Sequence, residues 1–254
     1  MRSLLLLAVI ILPFFAAKAV VILNGSSETS QTNVPVGVPG WNYVGIVNDS
    51  SGVYLGDGWV ISAQHIAQPQ VFTLDGVDYD ILRTTNFGAT DLRMFQISDV
   101  NGLPNLPTLA ISLTLPVPNT DDVVLIGYGG GAGRSWGINS VGGINVDDLE
   151  GWEDTLYFYT VTGSNNHTVA VKGDSGGAGF IQKDGQWELA GIMCLVNTEV
   201  IDGARLDYIY LAQLSEYAEK INEIRGYSII PEPSVWALAG GCGALLLLFR
   251  RRKS

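Results

Sequence analysis

Between about residues 40 and 200, short apolar and β-branched runs alternate with clusters of Gly, Asp, Asn and Pro. Tyr43–Val47, Trp59–Ser62, Val71–Leu74, Tyr79–Thr85, Leu92–Ile97, Val123–Tyr128, Thr155–Val161, Gly177–Gln182 and Glu188–Val196 each read as a strand. Asp75-Gly76 and Asp184-Gly185 separate two pairs of these runs and are dipeptides of two-residue hairpins. No helical periodicity intervenes, so the pattern predicts antiparallel barrels or a sandwich, not a parallel sheet. Asn101–Asn119 holds four prolines and little periodicity, as a crossing between two halves would. One helix is expected over 211–225, where Leu211, Leu214, Ala218, Ile221 and Ile224 or Arg225 follow the 3.6-residue period and Gly226 provides a stop. No internal repeat is evident.

The ends differ from this body. Residues 1–19 carry Arg2, an apolar run from Leu4 to Phe15, and the small-x-small triplet Ala17-Lys18-Ala19, the layout of a secretory signal peptide cut before Val20. An uncleaved anchor is the alternative, although the run is short for a bilayer. At the other end, Pro231-Glu232-Pro233 precedes an apolar run from Val235 to Phe249 and then Arg250-Arg251-Arg252-Lys253. That cation cluster would hold the end of the tail on the cytoplasmic side. The tripartite tail resembles the PEP-CTERM sorting signal of Gram-negative bacteria. The resemblance implies a transient membrane helix, processing by an exosortase-type enzyme, and delivery to the periplasm, cell envelope or exterior; a plain C-terminal anchor is the alternative.

These ends conceal the body's charge. Of 14 Lys and Arg, two precede residue 20 and four follow residue 231; of 25 Asp and Glu, only Glu232 lies in either end. Residues 20–230 therefore carry eight cations and 24 anions, a net charge of −16 against −11 for the whole chain. Such a body lacks the basic stripe that neutralises phosphates, which excludes nucleic acid as a partner. A hydrophobic share of 47% argues against disorder. Two cysteines cannot staple a disulfide scaffold or make a four-cysteine zinc site. Cys194 lies in the body and Cys242 in the tail, so no internal disulfide is expected.

Gly173-Asp174-Ser175-Gly176-Gly177 is the strongest chemical feature. A hydroxyl nucleophile needs a base, an acid orienting that base, and N–H groups aimed at the developing oxyanion. Glycines around Ser175 would let the Gly173 and Ser175 amides converge. The pentapeptide also fits the G-x-S-x-G elbow of α/β-hydrolases, but those carry their histidine after the serine. The two histidines of this chain, His65 and His167, both precede Ser175. The order His65…Asp91…Ser175 remains, with His65 following the run Trp59–Ser62 and Asp91 opening an alternating run.

Trp59-Val60-Ile61-Ser62-Ala63-Gln64-His65, Asp91-Leu92-Arg93-Met94 and Gly173–Gly177 resemble, in order, the three motifs of trypsin/chymotrypsin-like serine proteases. Ile126-Gly127-Tyr128-Gly129 and Ala190-Gly191-Ile192 resemble further family segments. The resemblance runs from about Ile22 to Gly226. It implies an all-β fold of two antiparallel Greek-key β-barrels (about 20–110 and 111–210) with a C-terminal helix. It also implies a Ser175–His65–Asp91 triad, an oxyanion hole of the Gly173 and Ser175 amides, an acyl-enzyme, and a peptide substrate. No cofactor or metal is implied. A binding module that kept the fold without catalysis, and an esterase using the same triad, are the competing readings.

Several positions depart from the family. Ile66 replaces the usual half-cystine, and the short interval from His65 to Asp91 implies trimmed loops. Val169 stands where Arg/Lys-specific members carry an Asp, and Cys194-Leu195-Val196 replaces Ser-Trp-Gly. With Val169, Cys194, Leu195 and Val196 around the substrate pocket, the resemblance implies a small or medium apolar preference. The family pairs a freed Ile or Val amine with the Asp beside the nucleophile, here Asp174. Ile22-Leu23-Asn24-Gly25 resembles that start, whereas the expected signal cut precedes Val20.

Other patterns carry less. Val123–Ala132 imitates a strand with G-x-G-x-x-A, but Gly137, Gly142 and Gly143 deny it the helix a dinucleotide site needs. The acidic residues Asp147, Asp148, Glu150, Glu153 and Asp154 lack EF-hand spacing and read as a solvated loop. Asp75, Asp78 and Asp80 read as surface positions of a hairpin, and His167 as a surface loop residue.

Overall fold

Four Asp-Gly dipeptides set much of the register of this chain. In the computed structural model, Asp57-Gly58, Asp75-Gly76, Asp184-Gly185 and Asp202-Gly203 all have positive φ at both residues. That is the type I′ conformation, whose twist suits a two-residue hairpin. Each closes a pair of adjacent strands. The structure describes residues 20–24, 27–129, 133–147, 149, 151–162 and 167–226. The signal peptide expected over 1–19 and the sorting tail expected over 231–254 lie outside the described residues. Among the described residues no helix is long and apolar enough to cross a membrane.

The chain divides into two units, Met1–Ala218 and Glu219–Ser254, the second described only through Gly226. In the first, β1 (Val21–Asn24) and β2 (Ser27–Ser30) lead to a 3₁₀ turn at Pro39–Tyr43. One closed barrel follows: β3 (Val44–Val47), β4 (Ser50–Gly56), β5 (Trp59–Ser62), β6 (Val71–Leu74), β7 (Val77–Asn86) and β8 (Arg93–Ile97), in the order β3-β4-β5-β8-β7-β6. The second uses β9 (Asp122–Gly127), β10 (Ser135–Val146), β11 (Tyr157–Thr162), β13 (Ala178–Lys183), β14 (Gln186–Ile201) and β15 (Ala204–Gln213). Its order is β10-β11-β15-β14-β13-β9. Counted within each barrel, both orders are 1-2-3-6-5-4, so one antiparallel topology occurs twice without a sequence repeat. Helix α1 (Leu214–Arg225) spans the boundary between the units.

The expected all-β, two-barrel architecture with a terminal helix is present, with three differences. The helix begins at Leu214, not at 211. Leu211 and Ala212 are strand residues, paired with Phe158 and Tyr157 on one side and with Met193 and Ile192 on the other. Leu211 satisfies both periods, since Ile209 and Leu211 are also buried as alternating strand positions. Residues 21–24, placed with the first barrel by the sequence, pair instead with β12 (His167–Val169). His167, expected in a loop, is therefore a strand residue opposite Leu23.

Strands β4 and β10 had no strand signal because they are rich in Ser and Gly. Those glycines are required by neighbours. A Cβ at Gly137 would overlap Thr168, and one at Gly142 or Gly143 would press on the Tyr159 ring. The second core gathers Val123, Leu125, Phe158, Ile181, Ile209 and Leu211, all fully buried. In the first, Phe72 and Phe95 meet edge to face with centroids 6.2 Å apart. The segment 101–119 does connect the barrels.

Candidate active site

Each sequence-predicted catalytic residue sits just outside a strand. His65 follows β5, Asp91 precedes β8, and Ser175 lies between β12 and β13. Strands β5 and β8 are neighbours, which brings His65 to Asp91. Asp91 Oδ1 accepts the backbone N–H of His65 and Oδ2 accepts ring Nδ1–H, both at 2.8 Å. With the proton on Nδ1, Nε2 presents its lone pair to Ser175 Oγ at 2.9 Å. Asp91 is 2% exposed, and its own backbone N–H donates to Thr155 Oγ1, which fixes the main chain that carries the carboxylate. Proton transfer from Ser175 to His65 would leave an imidazolium beside a buried carboxylate, the arrangement that stabilises it.

The loop bearing Ser175 is held open at its amides. Gly173 has φ +97°, and the N–H groups of Gly173 and Ser175 donate to no acceptor among the described residues. Their neighbours are all engaged: Asp174 N–H donates to Val171 O, Gly176 N–H to Met193 O and Gly177 N–H to Asp174 O. Two unclaimed N–H groups beside a nucleophile form a site for an oxyanion.

Ser51 of β4, which carried no signal in the sequence beyond a Ser-Ser-Gly run, ties this loop to the first barrel. Its N–H donates to Ser175 O (2.9 Å) and its hydroxyl to Gly173 O (3.1 Å), while Ser62 Oγ donates to Ser51 O. Gly176, at φ +82°, lies so close that a Cβ would overlap Ser51 O and Ser62 Oγ. Gly176→Ala is expected to cost about 3 kcal/mol or more, from left-handed strain and overpacking together. Urea unfolding in a Ser175→Ala background measures this without self-digestion; an unchanged midpoint would remove Gly176 from the joint.

Asp174 is 1% exposed, and its carboxylate accepts only neutral donors: Val171 N–H (2.7 Å), Gly129 N–H (2.8 Å) and Val20 N (3.3 Å). Burial pushes its pKa up to about 6, against the lowering effect of those three bonds. No cationic side chain pairs with it among the described residues. Gly127 and Gly129, the glycines of the dinucleotide-like run, exist for this carboxylate, since a Cβ on either would collide with Asp174 Oδ1. The element after that run is strand β10, not a helix. Ile22, which opens the run resembling the family's freed terminus, sits inside the β1 ladder opposite Thr168 and Thr29, and the nitrogen at Asp174 is that of Val20.

Two cavities flank the segment Cys194–Leu195. One of about 370 Å³ adjoins Ser175 and has walls from Ala170, Val171, Met193, Cys194, Leu195 and Val196, with exposed Lys172 also lining it. Val169 pairs with Val21 in the ladder and is not among these walls, so of the four expected pocket residues three line the cavity. A second, of about 250 Å³, adjoins His65 and includes Leu149, Trp152, Tyr157 and Leu195. Leu149 and Trp152 come from a β10–β11 loop that the sequence marked only as acidic. Cys194 is an unpaired, buried thiol whose pKa burial pushes up, so it is not a nucleophile in waiting. Asp75, the expected surface residue, pairs with the buried Arg134.

No protein-family model and no curated protein matches the chain. Solved structures do. The HtrA-type protease AlgW, solved with a decapeptide, superposes with TM-score 0.54 at 19% identity over 69% of this chain and 51% of its own. An inactive form of the Rv3671c protease superposes with TM-score 0.54 at 14% identity over 75% of this chain and 99% of its own. This chain thus spans about half the length of AlgW, and the likeness is one of fold.

Proposed function

We propose that this chain is an exported serine endopeptidase that cleaves peptide bonds through an acyl-enzyme. The observation that carries the reading is the unbroken relay from Asp91 through His65 to Ser175, at 2.8 and 2.9 Å, beside two unclaimed amides. Ser175 Oγ attacks the carbonyl carbon as His65 Nε2 takes its proton; Gly173 and Ser175 N–H groups receive the oxyanion. His65 then protonates the departing amine, and water repeats the sequence on the acyl-enzyme. The fold shared with AlgW and Rv3671c supports the reading, as does the decapeptide in the AlgW structure.

The apolar cavity beside Ser175, narrowed by Val196, suits a small or medium apolar side chain before the scissile bond. Export, removal of residues 1–19, and handling of the tail by an exosortase-type enzyme follow from the sequence features at the two ends. A fluorophosphonate probe applied to the purified body is expected to label Ser175, and Ser175→Ala to abolish both labelling and peptide cleavage. Peptide-library profiling should favour Ala, Val or Leu over Arg and Lys by tenfold or more. An unlabelled Ser175, or cleavage that survives Ser175→Ala, defeats the protease reading; equal turnover of Arg and Ala peptides defeats the pocket assignment alone.

A further inference from the structure

The triad is divided between the barrels. His65 and Asp91 stand on loops of the first, and Ser175 on a loop of the second. The 2.9 Å contact between His65 Nε2 and Ser175 Oγ therefore depends on how the first two residues are seated against the second barrel. That seating is made at the main chain of Asp91. Its N–H donates to Thr155 Oγ1 at 2.7 Å, and its carbonyl accepts the Gln64 N–H at 3.3 Å and the Cys194 thiol at 3.6 Å. Thr155, just before β11, and Cys194, on β14, both belong to the second barrel. A thiol is a weak donor, so the fully buried Thr155 hydroxyl is the stronger of these two bonds across the barrels.

Thr155 is itself held from both sides. Its N–H donates to Trp152 O at 2.9 Å. Tyr217, in the first turn of α1, donates its hydroxyl to Asp154 O (3.0 Å) and accepts the Leu156 N–H (2.8 Å). One phenol oxygen thus clasps the residues before and after Thr155. Burial raises the Tyr217 pKa, so the phenol keeps the proton it donates. The same ring stands edge to face with Phe87, their centroids 6.3 Å apart. Phe87 closes the loop that bears Asp91: its N–H donates to Leu92 O and its carbonyl accepts the Thr90 N–H, both at 3.3 Å. Tyr217 therefore braces both ends of the Thr155–Asp91 bond.

We propose that Thr155, braced by Tyr217, is a positioning residue of the relay: it sets the reach of His65 to Ser175 by seating Asp91 on the second barrel. This role deepens the endopeptidase reading and rests on it for the step that His65 and Ser175 carry out. Without the Thr155 hydroxyl, the Asp91 N–H is buried and has no acceptor, a cost that drives the main chain toward another partner. The carboxylate and the imidazole it holds move with that main chain. A displacement of about 1 Å at a reacting pair can cost roughly 10²-fold in rate. Neither Thr155 nor Tyr217 lines either cavity, so substrate binding is spared and the loss falls on kcat.

Three variants test this. Thr155→Val keeps the shape and removes the acceptor, Thr155→Ser restores the acceptor, and Tyr217→Phe keeps the ring on Phe87 while removing both loop bonds. With active sites counted by fluorophosphonate titration, Thr155→Val is expected to lower kcat roughly 10- to 100-fold at unchanged KM, and Thr155→Ser to recover most of the loss. Tyr217→Phe should lower kcat by about fivefold, and added to Thr155→Val it should lower kcat no further, because its effect passes through Thr155. A thermal melt shows which variants fold; if Thr155→Val does not, Tyr217→Phe carries the same measurements. A second readout needs no turnover. In a Ser175→Ala background, the His65 Nδ1 proton, followed by NMR, should exchange with solvent about tenfold faster in Thr155→Val than with Thr or Ser at that position. An unlabelled Ser175 in the parent chain defeats the endopeptidase reading, and proton exchange then decides the role of Thr155 by itself. Unchanged kcat per site in Thr155→Val, an equal loss in Thr155→Ser, or unchanged exchange of the Nδ1 proton overturns the proposal. Additive losses in the double variant overturn the part assigned to Tyr217.

Discussion

Asp91→Asn is expected to lower kcat by about 10⁴-fold while leaving the fold and the melting temperature nearly unchanged. Asp91 Oδ1 and Oδ2 accept from two groups of one residue, the His65 backbone N–H and the Nδ1–H of its ring. An amide of the same shape can accept only one of them. If its oxygen keeps the backbone N–H, its NH₂ faces Nδ1, which must then give up its proton to avoid two donors in contact. The proton moves to Nε2, where it points at Ser175 Oγ and removes the base. Nothing in this exchange opens a cavity or exposes apolar surface, so stability should be spared. Steady-state kinetics on a short peptide beside a thermal melt separates the two effects. A kcat within tenfold of the parent would mean that Asp91 does not set the tautomer, and the relay would lose its first member.

The parts of this site that were legible in the sequence are those whose chemistry constrains residue type over a short window. Gly173–Gly177 and the run ending at His65 could be read because a nucleophile needs glycines around it and a base needs a strand to hold it. The barrels were legible as alternating runs wherever Asp-Gly turns bounded them. What could not be read depends on partners distant in the chain. Ser51 matters because it bonds Gly173 and Ser175, more than 120 residues away, and a serine before a glycine carries no sign of that. Strand β10 was hidden by glycines whose purpose is to make room for Thr168 and Tyr159. Trp152 was hidden in an acidic loop that read as solvated. The repeated 1-2-3-6-5-4 topology has no sequence echo, because burial at alternating positions is met by many residue combinations. The N-terminal strand was illegible for a related reason: nothing in Val21–Asn24 says that its partners are β2 and β12, which lie in neither barrel.

A chain that begins at Val20 with a free amine is expected to be at least 10²-fold more active at pH 7 than one bearing an acetyl group or a single extra residue. When the Val20 nitrogen is an amide, Asp174 is a buried carboxylate with three neutral donors and a pKa of about 6 against an ordinary 3.8. A folded-state pKa above the unfolded one makes stability complete below about pH 4 and lost as pH rises through about 6, a cost of about 3 kcal/mol. Ionised, that carboxylate strains the turn from Val171 to Asp174 that aims the Gly173 and Ser175 amides, and loss of one oxyanion donor alone costs roughly 10²–10³ in turnover. A free amine at the same place reverses the sign. The ammonium compensates the buried charge, the carboxyl is drawn down, and the amine is held protonated above its ordinary range of about 7.7–8.0. Stability from the pair is then present at neutral pH and is lost only as pH rises through the raised amine pKa. Thermal melts from pH 4 to 10 on the two forms should therefore diverge from about pH 4, reach their full difference of several degrees in favour of the free amine near pH 6, and converge again at the alkaline end. Activity should follow the same window. If both forms melt and turn over alike across it, Asp174 is satisfied by amides alone. In the expected case the proposed cut before Val20 would also create the cation Asp174 lacks, and on the proposed export route the precursor would stay inactive until that cut.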